Sequence, residues 1–278
     1  MVVLVTGGKG QLGQALQSIA GNYPQIELYL ASSAEADIAN PESLEAIFNK
    51  IQPQFCINAA AYTTVDKAES EPEKAYEINV TGAKNLAQAC HKFGTTLLHI
   101  STDFVFDGQQ QTPYTETDAT NPQGVYGLTK WQGEQAIAAV FDQYYIVRTS
   151  WLYSAFGHNF MKTMLRVAAE RPSLNVVNDQ IGTPTEATTL ADALLQMIRS
   201  GKQEYGIYHY SNEGVASWYD FAAEIFAVNG VKIELNAIPT AAYPTPAKRP
   251  KYSVLDKTKI KSVFGIQIPD WQTALKQA

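Results

Sequence analysis

The sequence lacks the features that mark several large classes of protein. No apolar stretch approaches the roughly 20 residues of a membrane-spanning helix. There is no run of lysines or arginines, and the net charge of −6 argues against a nucleic-acid-binding surface. Met1 leads directly into a strand-like apolar stretch, which leaves no room for a signal peptide. We therefore expect a cytoplasmic protein with no membrane or nucleic-acid partner.

Cysteine and histidine are also scarce. Cys56 and Cys90 fall in a predicted strand and a predicted helix, where we expect buried, reduced thiols. The four histidines include no pair with the spacing of metal ligands. These absences favour a chain that is held together by its apolar core and that has no metal site.

The size and composition of the chain fit a soluble α/β protein. Its 278 residues, 45% of them hydrophobic and 17% charged, can form one large unit or two closely joined lobes. Strand-like and helical segments alternate through the first part, which predicts a doubly wound parallel sheet with helices on both faces. The predicted strands are 2–6, 26–31, 55–58, 96–101 and 144–148, and the predicted helices are 11–20, 41–50, 72–93 and 126–140.

The alternation loosens after Arg148. We therefore divide the chain into a dinucleotide-binding domain, 1–150, and a smaller mixed α/β lobe for substrate, 151–278. We expect the helix predicted at 187–200 to return to the first domain. Four prolines between Pro239 and Pro250 exclude a regular helix there, so this stretch is a substrate-side loop or a surface connector. The lobe's other predicted elements are helices 159–170 and 218–228 and strands 174–177 and 206–210.

A glycine-rich turn follows the first predicted strand. It reads Thr6-Gly7-Gly8-Lys9-Gly10-Gln11-Leu12-Gly13 and opens a predicted helix. Glycine lets the backbone approach a pyrophosphate closely, and the N–H groups at a helix N-terminus bind phosphate. This context predicts a Rossmann-type dinucleotide site. The G-x-x-G-x-x-G spacing favours short-chain dehydrogenases over two-domain dehydrogenases.

Tyr126 and Lys130 stand four residues apart in a predicted helix, so their side chains lie on one face. Free tyrosine ionises at about pH 10, and a neighbouring ammonium favours the phenolate. We therefore expect Lys130 to lower the pKa of Tyr126 and to make it a working acid or base. A Tyr-x-x-x-Lys pair is common by chance, and its weight here comes from the glycine turn that precedes it.

Three further segments come at the ends of predicted strands, where open α/β sheets place their ligands. They are Asn58-Ala59-Ala60-Ala61-Tyr62, Ser101-Thr102-Asp103 and Arg148-Thr149-Ser150-Trp151. The alanines allow a flat ring or a ribose to lie against the backbone. The Thr102 hydroxyl can bond a substrate carbonyl, and Trp151 can stack on a base or sugar. Taken alone, each segment also fits a structural role as a turn, a cap or a packing residue.

Together these motifs resemble the extended short-chain dehydrogenase/reductases and, more narrowly, the dTDP-4-dehydrorhamnose reductases. The resemblance runs almost from end to end. Its further marks are Val65-Asp66-Lys67-Ala68-Glu69, Val105-Phe106-Asp107-Gly108, Gly133-Glu134, Asn159-Phe160, Asp179-Gln180, Gly182, Pro184-Thr185, Arg249-Pro250 and Asp270-Trp271. It implies reduction of the C4 keto group of a dTDP-linked 4-keto-6-deoxy sugar, dTDP-4-dehydro-L-rhamnose, to dTDP-L-rhamnose.

The resemblance also implies roles for single residues. Tyr126 would protonate the oxygen that develops as hydride arrives, Thr102 would hydrogen-bond that oxygen, and Asp103 would assist. Lys130 would hold the nicotinamide ribose as well as tune the tyrosine. The cofactor would be bound by Gly7, Gly10, Gln11, Leu12, Gly13, Asp37, Ile38, Ala59, Ala60, Ala61, Tyr126 and Lys130. The sugar nucleotide would be bound by Thr102, Asp103, Trp151, Asn159, Phe160 and Arg249, with Arg249 on its diphosphate.

A few positions depart from the pattern of relatives. The second predicted strand ends in Ala31-Ser32-Ser33, where relatives often have a carboxylate that binds the ribose 2′-hydroxyl and repels a 2′-phosphate. We therefore expect NADPH as the cofactor, with NADH usable as well. Tyr252 stands where many relatives have asparagine. Some relatives dimerise through a magnesium ion held by glutamates. Here Glu186 would face Gln14, so we expect no metal, and the resemblance still allows a homodimer.

Two other functions fit many of the same motifs. An epimerase or dehydratase of this superfamily would use tightly bound NAD⁺, although a dehydratase usually has an acidic pair after the threonine, and no glutamate follows Asp103. A non-catalytic regulatory subunit that resembles methionine adenosyltransferase beta would be expected to lose the active residues. Thr102, Tyr126 and Lys130 are all present, which favours an enzyme.

Overall fold

A computed structural model describes the chain from Met1 to Ala278. The strands are β1 (Val2–Thr6), β2 (Glu27–Ala31), β3 (Phe55–Asn58), β4 (Thr96–Thr102), β5 (Tyr144–Thr149), β6 (Leu152–Tyr153), β7 (Ser173–Val177), β8 (Ile181–Gly182), β9 (Thr185–Glu186), β10 (Gly206–His209), β11 (Ala216–Ser217) and β12 (Glu234–Ile238). The helices are α1 (Gln11–Ile19), α2 (Pro41–Ile51), α3 (Val65–Ala68), α4 (Pro72–Tyr76), α5 (Ala83–Phe93), α6 (Val125–Ala138), α7 (Phe160–Ala168), α8 (Ala187–Ser200), α9 (Trp218–Val228), α10 (Thr258–Phe264) and α11 (Trp271–Leu275).

Six parallel strands form the central sheet, in the order β2-β1-β3-β4-β5-β10. Strands buried on both faces need continuous apolar runs, and the interior residues of β1 and β4 are almost all buried. The chain first moves outward from β1 to β2 and then returns to the other side of β1 with β3. The sheet therefore has a reversal point between β1 and β3, where ligands of such folds bind.

Helices cover both faces of this sheet, as the alternating pattern predicts. On one face α1, α8 and α10 pack against the strands around an apolar cluster that includes Leu16, Leu194 and Ile260. On the other face α2, α5 and α6 enclose a second cluster that includes Phe48 and Leu86. Rossmann-type α/β architecture is thus confirmed, and α8 and β10 show that residues after 150 complete it.

The remaining C-terminal segments build a smaller lobe. Strands β6 and β9, β7 and β12, and β8 and β11 form separate two-stranded sheets. Helices α7, α9 and α11 share a third apolar cluster around Phe221 and Trp271. The proline-rich stretch is irregular apart from one 3₁₀ turn at Thr240–Ala242. None of the helices combines the length and apolar character that a membrane crossing requires.

One predicted helix differs from the structure in its middle. The stretch predicted as a helix over 72–93 consists of α4, a π-helical segment at Glu77–Gly82, and α5. The wider turn brings Asn79 inward, where its amide donates to Thr129 Oγ1 and accepts from the Tyr62 N–H. A π-helical insertion of this kind often serves a functional region, and here it braces α6.

Candidate active site

One cleft of about 840 Å³ runs across the carboxyl ends of β1, β3, β4 and β5 and continues to the smaller lobe. Sixteen of the residues predicted to act in catalysis or binding line it: Gly7, Gly10, Gln11, Leu12, Asp37, Ile38, Ala59, Ala60, Ala61, Thr102, Asp103, Tyr126, Lys130, Trp151, Phe160 and Arg249. Gly13 and Asn159 are not among the lining residues. The sheet therefore brings distant segments of the chain to one site.

The glycine turn forms one end of the cleft. Gly7 has a φ of +68°, and a Cβ there would lie 2.7 Å from the Ala60 nitrogen, so only glycine fits. The Gly8 N–H donates to the Ala31 carbonyl over 2.9 Å and ties the turn to the end of β2. A methyl group on Gly13 would overlap the Gly8 carbonyl. Gly13 thus acts by letting α1 approach the turn, and not by facing the cleft.

Tyr126 reaches the cleft from the first turn of α6. Burial of its hydroxyl end raises its pKa to about 12, an effect that the Thr102 hydroxyl partly opposes and that the Asp103 carboxylate reinforces. The expected lowering of this pKa by Lys130 is wrong for this structure, because burial dominates and Lys130 is not among the causes. At neutral pH the phenol therefore keeps its proton and can donate it.

Thr102 and Asp103 stand beside the tyrosine at the end of β4. Thr102 Oγ1 donates to Asp103 Oδ1 over 3.1 Å and accepts from the Phe104 N–H over 3.2 Å. Asp103 is 2% exposed, and the hydroxyls of Ser253 and Thr102 both favour its charged form. Burial raises the pKa of this carboxyl to about 6. The cluster therefore holds two proton-bearing hydroxyls and a carboxyl that titrates close to neutral pH.

Lys130 lies one helical turn below the tyrosine and is 2% exposed. Its side-chain nitrogen Nζ donates to the Ile100 carbonyl over 2.6 Å and lies 3.3 Å from His99 Nε2. Burial lowers its pKa to about 8, although the Glu134 carboxylate acts in the opposite direction. A lysine of this kind can exchange a proton near neutral pH.

A row of polar side chains leads from the glycine turn to Lys130. Thr6, Asn58 and His99 are cross-strand neighbours on β1, β3 and β4. Asn58 Oδ1 accepts from Thr6 Oγ1 over 2.8 Å and from the Ala60 N–H over 3.2 Å. Its amide nitrogen must then face His99 Nδ1, 2.9 Å away, as the donor. His99 is therefore a neutral imidazole with its hydrogen on Nε2, and burial lowers its pKa well below the usual value.

A buried ion pair fixes α6 against the sheet. Arg148 donates from Nε and Nη2 to the two oxygens of Glu134, over 2.9 and 2.7 Å. Both side chains are at most 2% exposed, and Ser101 also donates to Glu134. Bidentate geometry of this kind sets direction as well as distance. It holds the helix that carries Tyr126 and Lys130 against β4 and β5.

Aromatic rings form the wall of the cleft on the side of the smaller lobe. Trp151 and Trp218 stack with ring centroids 3.6 Å apart, and Phe160 packs on Trp218 at 4.7 Å. Trp151 has a φ of +46°, an uncommon conformation for a bulky residue that is typical of functional sites. Sequence reasoning missed Trp218, because its position behind the N-cap Ser217 is typical of an ordinary helix start.

Arg249 lies at the outer edge of the same wall, in a bidentate pair with Asp66. Its Nη1 and Nη2 donate to the two Asp66 oxygens over 2.8 and 2.7 Å. Nη1 also donates to Thr245 Oγ1 and the Ala247 carbonyl. The resemblance implied that Arg249 binds the diphosphate of the substrate, and in the structure its guanidinium also has a carboxylate partner on α3. This pair ties the proline-rich stretch to the dinucleotide side of the cleft.

Asn159 has a different place from the one predicted. Its amide nitrogen donates to Gln11 Oε1 over 2.9 Å and to the Ser154 carbonyl over 2.7 Å, and its oxygen caps α7 by accepting from the Lys162 N–H. These bonds use both of its side-chain donors and one of the two lone pairs of its oxygen. Asn159 therefore links the smaller lobe to the glycine turn and does not face the cleft. No group of three or more His, Cys, Asp or Glu side chains is placed to hold a metal ion.

The glycine turn at a sheet reversal, with a Thr, a Tyr and a Lys converging at the next strand end, defines a short-chain dehydrogenase/reductase site. The family model described as the RmlD substrate binding domain matches residues 1–278. A curated dTDP-4-dehydrorhamnose reductase from Aggregatibacter actinomycetemcomitans is 45% identical over 99% of this chain and 97% of its own.

Solved structures give the same result. A dTDP-4-dehydrorhamnose reductase from Clostridium acetobutylicum superposes with a TM-score of 0.94 at 42% identity, covering 100% of this chain and 98% of its own. One from Bacillus anthracis, solved in complex with NADP, has a TM-score of 0.94 at 38% identity, with 99% and 97% covered. The chain belongs to the RmlD family of dTDP-4-dehydrorhamnose reductases, which confirms the resemblance found in its sequence.

Proposed function

We propose that the protein reduces the C4 keto group of dTDP-4-dehydro-L-rhamnose to dTDP-L-rhamnose with NADPH, and that NADH is usable as well. The observation that carries this proposal is the continuous cleft, in which the glycine turn, the Thr102–Tyr126 pair and an aromatic wall with an arginine follow one another. A dinucleotide and a sugar nucleotide can lie end to end in such a site, with their reacting atoms at the centre.

The residues at one end of the cleft fit a dinucleotide. Gly7 and Gly10 leave room for a pyrophosphate at the start of α1, beside Gln11 and Leu12. Asp37 and Ile38 line the region for the adenine, and Ala59, Ala60 and Ala61 line the path toward the nicotinamide. When bound, the reduced cofactor supplies the hydride, and the protein determines where the proton comes from.

Tyr126 is the general acid of this proposal. Its pKa of about 12 keeps the phenol protonated at neutral pH, and a phenol is still a stronger acid than the secondary alcohol that the reaction forms. Thr102 places a second hydroxyl beside it, where negative charge would develop on the substrate oxygen. Lys130 holds the nicotinamide ribose and, with a pKa of about 8, can return a proton toward the tyrosine.

The sugar nucleotide occupies the end of the cleft formed by the smaller lobe. Trp151, Phe160 and Trp218 all line this end of the cleft and pack on one another, so they offer an aromatic surface to the deoxysugar or the base. The Arg249 guanidinium has donors beyond those that it gives to Asp66, so it can meet a diphosphate while the carboxylate holds its plane in position.

Two variants test the proposal. Tyr126→Phe should lower turnover of dTDP-4-dehydro-L-rhamnose by a factor on the order of 10² to 10⁴, as expected for loss of a general acid, with little effect on NADPH affinity. Tyr243→Phe, at a tyrosine that is 59% exposed, is the matched control and should behave as the wild type. The assay follows cofactor oxidation together with the sugar product.

Three results would count against the proposal. Near-normal turnover in Tyr126→Phe would remove the tyrosine from the mechanism. Conversion of the sugar without net oxidation of the cofactor would indicate an epimerase. A wild-type protein that neither consumes the cofactor nor converts the sugar would not be an enzyme of this reaction.

A further inference from the structure

The end of β2 carries a carboxylate that the sequence pattern does not reveal. Glu35 folds back on Ser32 and accepts from its backbone N–H over 2.9 Å and from its hydroxyl over 2.7 Å. Ser32, Ser33 and Lys9 of the glycine turn all line the cleft. The hydrogen bonds from Ser32, with smaller contributions from the Tyr29 hydroxyl and the charge of Lys9, hold the pKa of Glu35 below its usual value, so the side chain is an anion at neutral pH.

This position is close to the adenosine ribose in the proposed complex. In Rossmann folds, an acidic residue about 20 residues beyond the glycine turn binds the ribose 2′-hydroxyl. The Gly8 N–H bonds the Ala31 carbonyl, so the turn and the end of β2 are in direct contact. Glu35 lies four residues beyond Ala31 in sequence, but its hydrogen bonds return the carboxylate to the strand end.

Charge and hydrogen bonding at this point both bear on a 2′-phosphate. A phosphate at the ribose 2′ position needs donors, and the two donors of Ser32 already serve the Glu35 carboxylate. The carboxylate also repels a second anion, whereas it can accept a hydrogen bond from a 2′-hydroxyl. Lys9 has the opposite effect on a 2′-phosphate, because its ammonium attracts the phosphate as well as the Glu35 carboxylate.

We propose that Glu35 is a cofactor-selecting residue, which occupies the Ser32 donors and thereby weakens binding of a 2′-phosphorylated dinucleotide relative to its 2′-hydroxyl counterpart. The inference depends on the proposed dinucleotide site and concerns only which dinucleotide it favours. The absence of a carboxylate at the end of the second strand suggested a preference for NADPH. Glu35 reduces that preference, so NADH competes with NADPH for the site.

The test measures dissociation constants of NADPH and NADH by nicotinamide fluorescence, with no sugar present. In Glu35→Gln the ratio of the two constants should move toward NADPH by a factor of about 10, since a charge is removed with little change of shape. Glu35→Ala frees both Ser32 donors and should move the ratio at least as far. Glu27→Gln, at the exposed start of the same strand, is the matched control and should leave the ratio unchanged.

The outcomes separate this inference from the proposed function. An unchanged ratio in both Glu35 variants, or an equal loss of affinity for both dinucleotides, would overturn the selecting role and leave the reductase proposal in place. Failure of the wild type to bind either dinucleotide would overturn the two together. A shift of the ratio that shrinks as salt is raised would support the electrostatic origin.

Discussion

Replacing Lys130 by methionine should stabilise the folded protein at neutral pH while removing its activity. The lysine is 2% exposed. Its nitrogen donates to the Ile100 carbonyl, and no carboxylate lies within hydrogen-bond distance of it. Burial lowers its pKa from 10.5 to about 8, which means that the folded state holds the ammonium at a cost. Methionine has a similar length and no charge to bury.

The magnitude follows from the displacement of this pKa. A difference of roughly 2.5 pH units, at about 1.36 kcal/mol per unit, amounts to about 3 kcal/mol. The folded pKa lies below the unfolded one, so the unfolded chain binds more protons between pH 8 and 10.5, and wild-type stability rises through that window. Methionine avoids this cost but loses the amine hydrogen bond, worth about 1 kcal/mol. The net gain at neutral pH is then about 2 kcal/mol.

Urea unfolding from about pH 6.5 to about pH 10.5 measures this effect. The free energy of unfolding of Lys130→Met should exceed that of the wild type at neutral pH, and the order should reverse by the upper end of the range. Lys84→Met, at an exposed lysine of α5, is the control and should show no such crossover. A Lys130→Met variant that is less stable than the wild type at neutral pH, or a difference that does not change with pH, would refute the reasoning.

Two further predictions concern the frame of the site. Glu134→Gln should lower the free energy of unfolding by about 3–5 kcal/mol, because Arg148 would stay buried without a charged partner, whereas Glu170→Gln in an exposed pair should cost less than about 1 kcal/mol. Equal losses in urea unfolding would contradict this difference. Gly13→Ala should cost about 1–3 kcal/mol and weaken dinucleotide binding at least about tenfold, because the added methyl forces α1 from the turn. Gly21→Ala, which points into open space, is the control, and wild-type affinity in Gly13→Ala by calorimetric titration would show that the turn adapts.

The sheet could be predicted because its strands are continuous apolar runs with clear ends. Strand β1 begins and ends where the sequence indicated, and so does β3. The start of α2 was equally clear, since Asn40 caps the helix and Pro41 occupies its first position. The smaller lobe was harder to predict. Its two-residue strands β6, β8, β9 and β11 are too short to show any periodicity, and they form only through contacts with distant segments.

The sequence predicted which segments of the chain meet at the site. It predicted few of the hydrogen bonds and ion pairs between individual side chains. Parallel strands bring their carboxyl ends to one edge, so the convergence of Thr102 and Tyr126 follows from order along the chain. The carboxylate that pairs with Arg249 belongs to Asp66, 183 residues away, and no local pattern joins them. The Glu35 carboxylate was missed for another reason, since the expected position was the strand end itself.

A chain of hydrogen bonds links the alanine stretch after β3 to Lys130 on α6. Asn58 can satisfy the Ala60 N–H only with its oxygen, so its nitrogen faces His99, and His99 must point an N–H at Lys130. An ammonium has no lone pair with which to accept that hydrogen, whereas an uncharged amine has one. The conformation of the alanine stretch, which lines the path of the dinucleotide, therefore favours the amine form of the lysine.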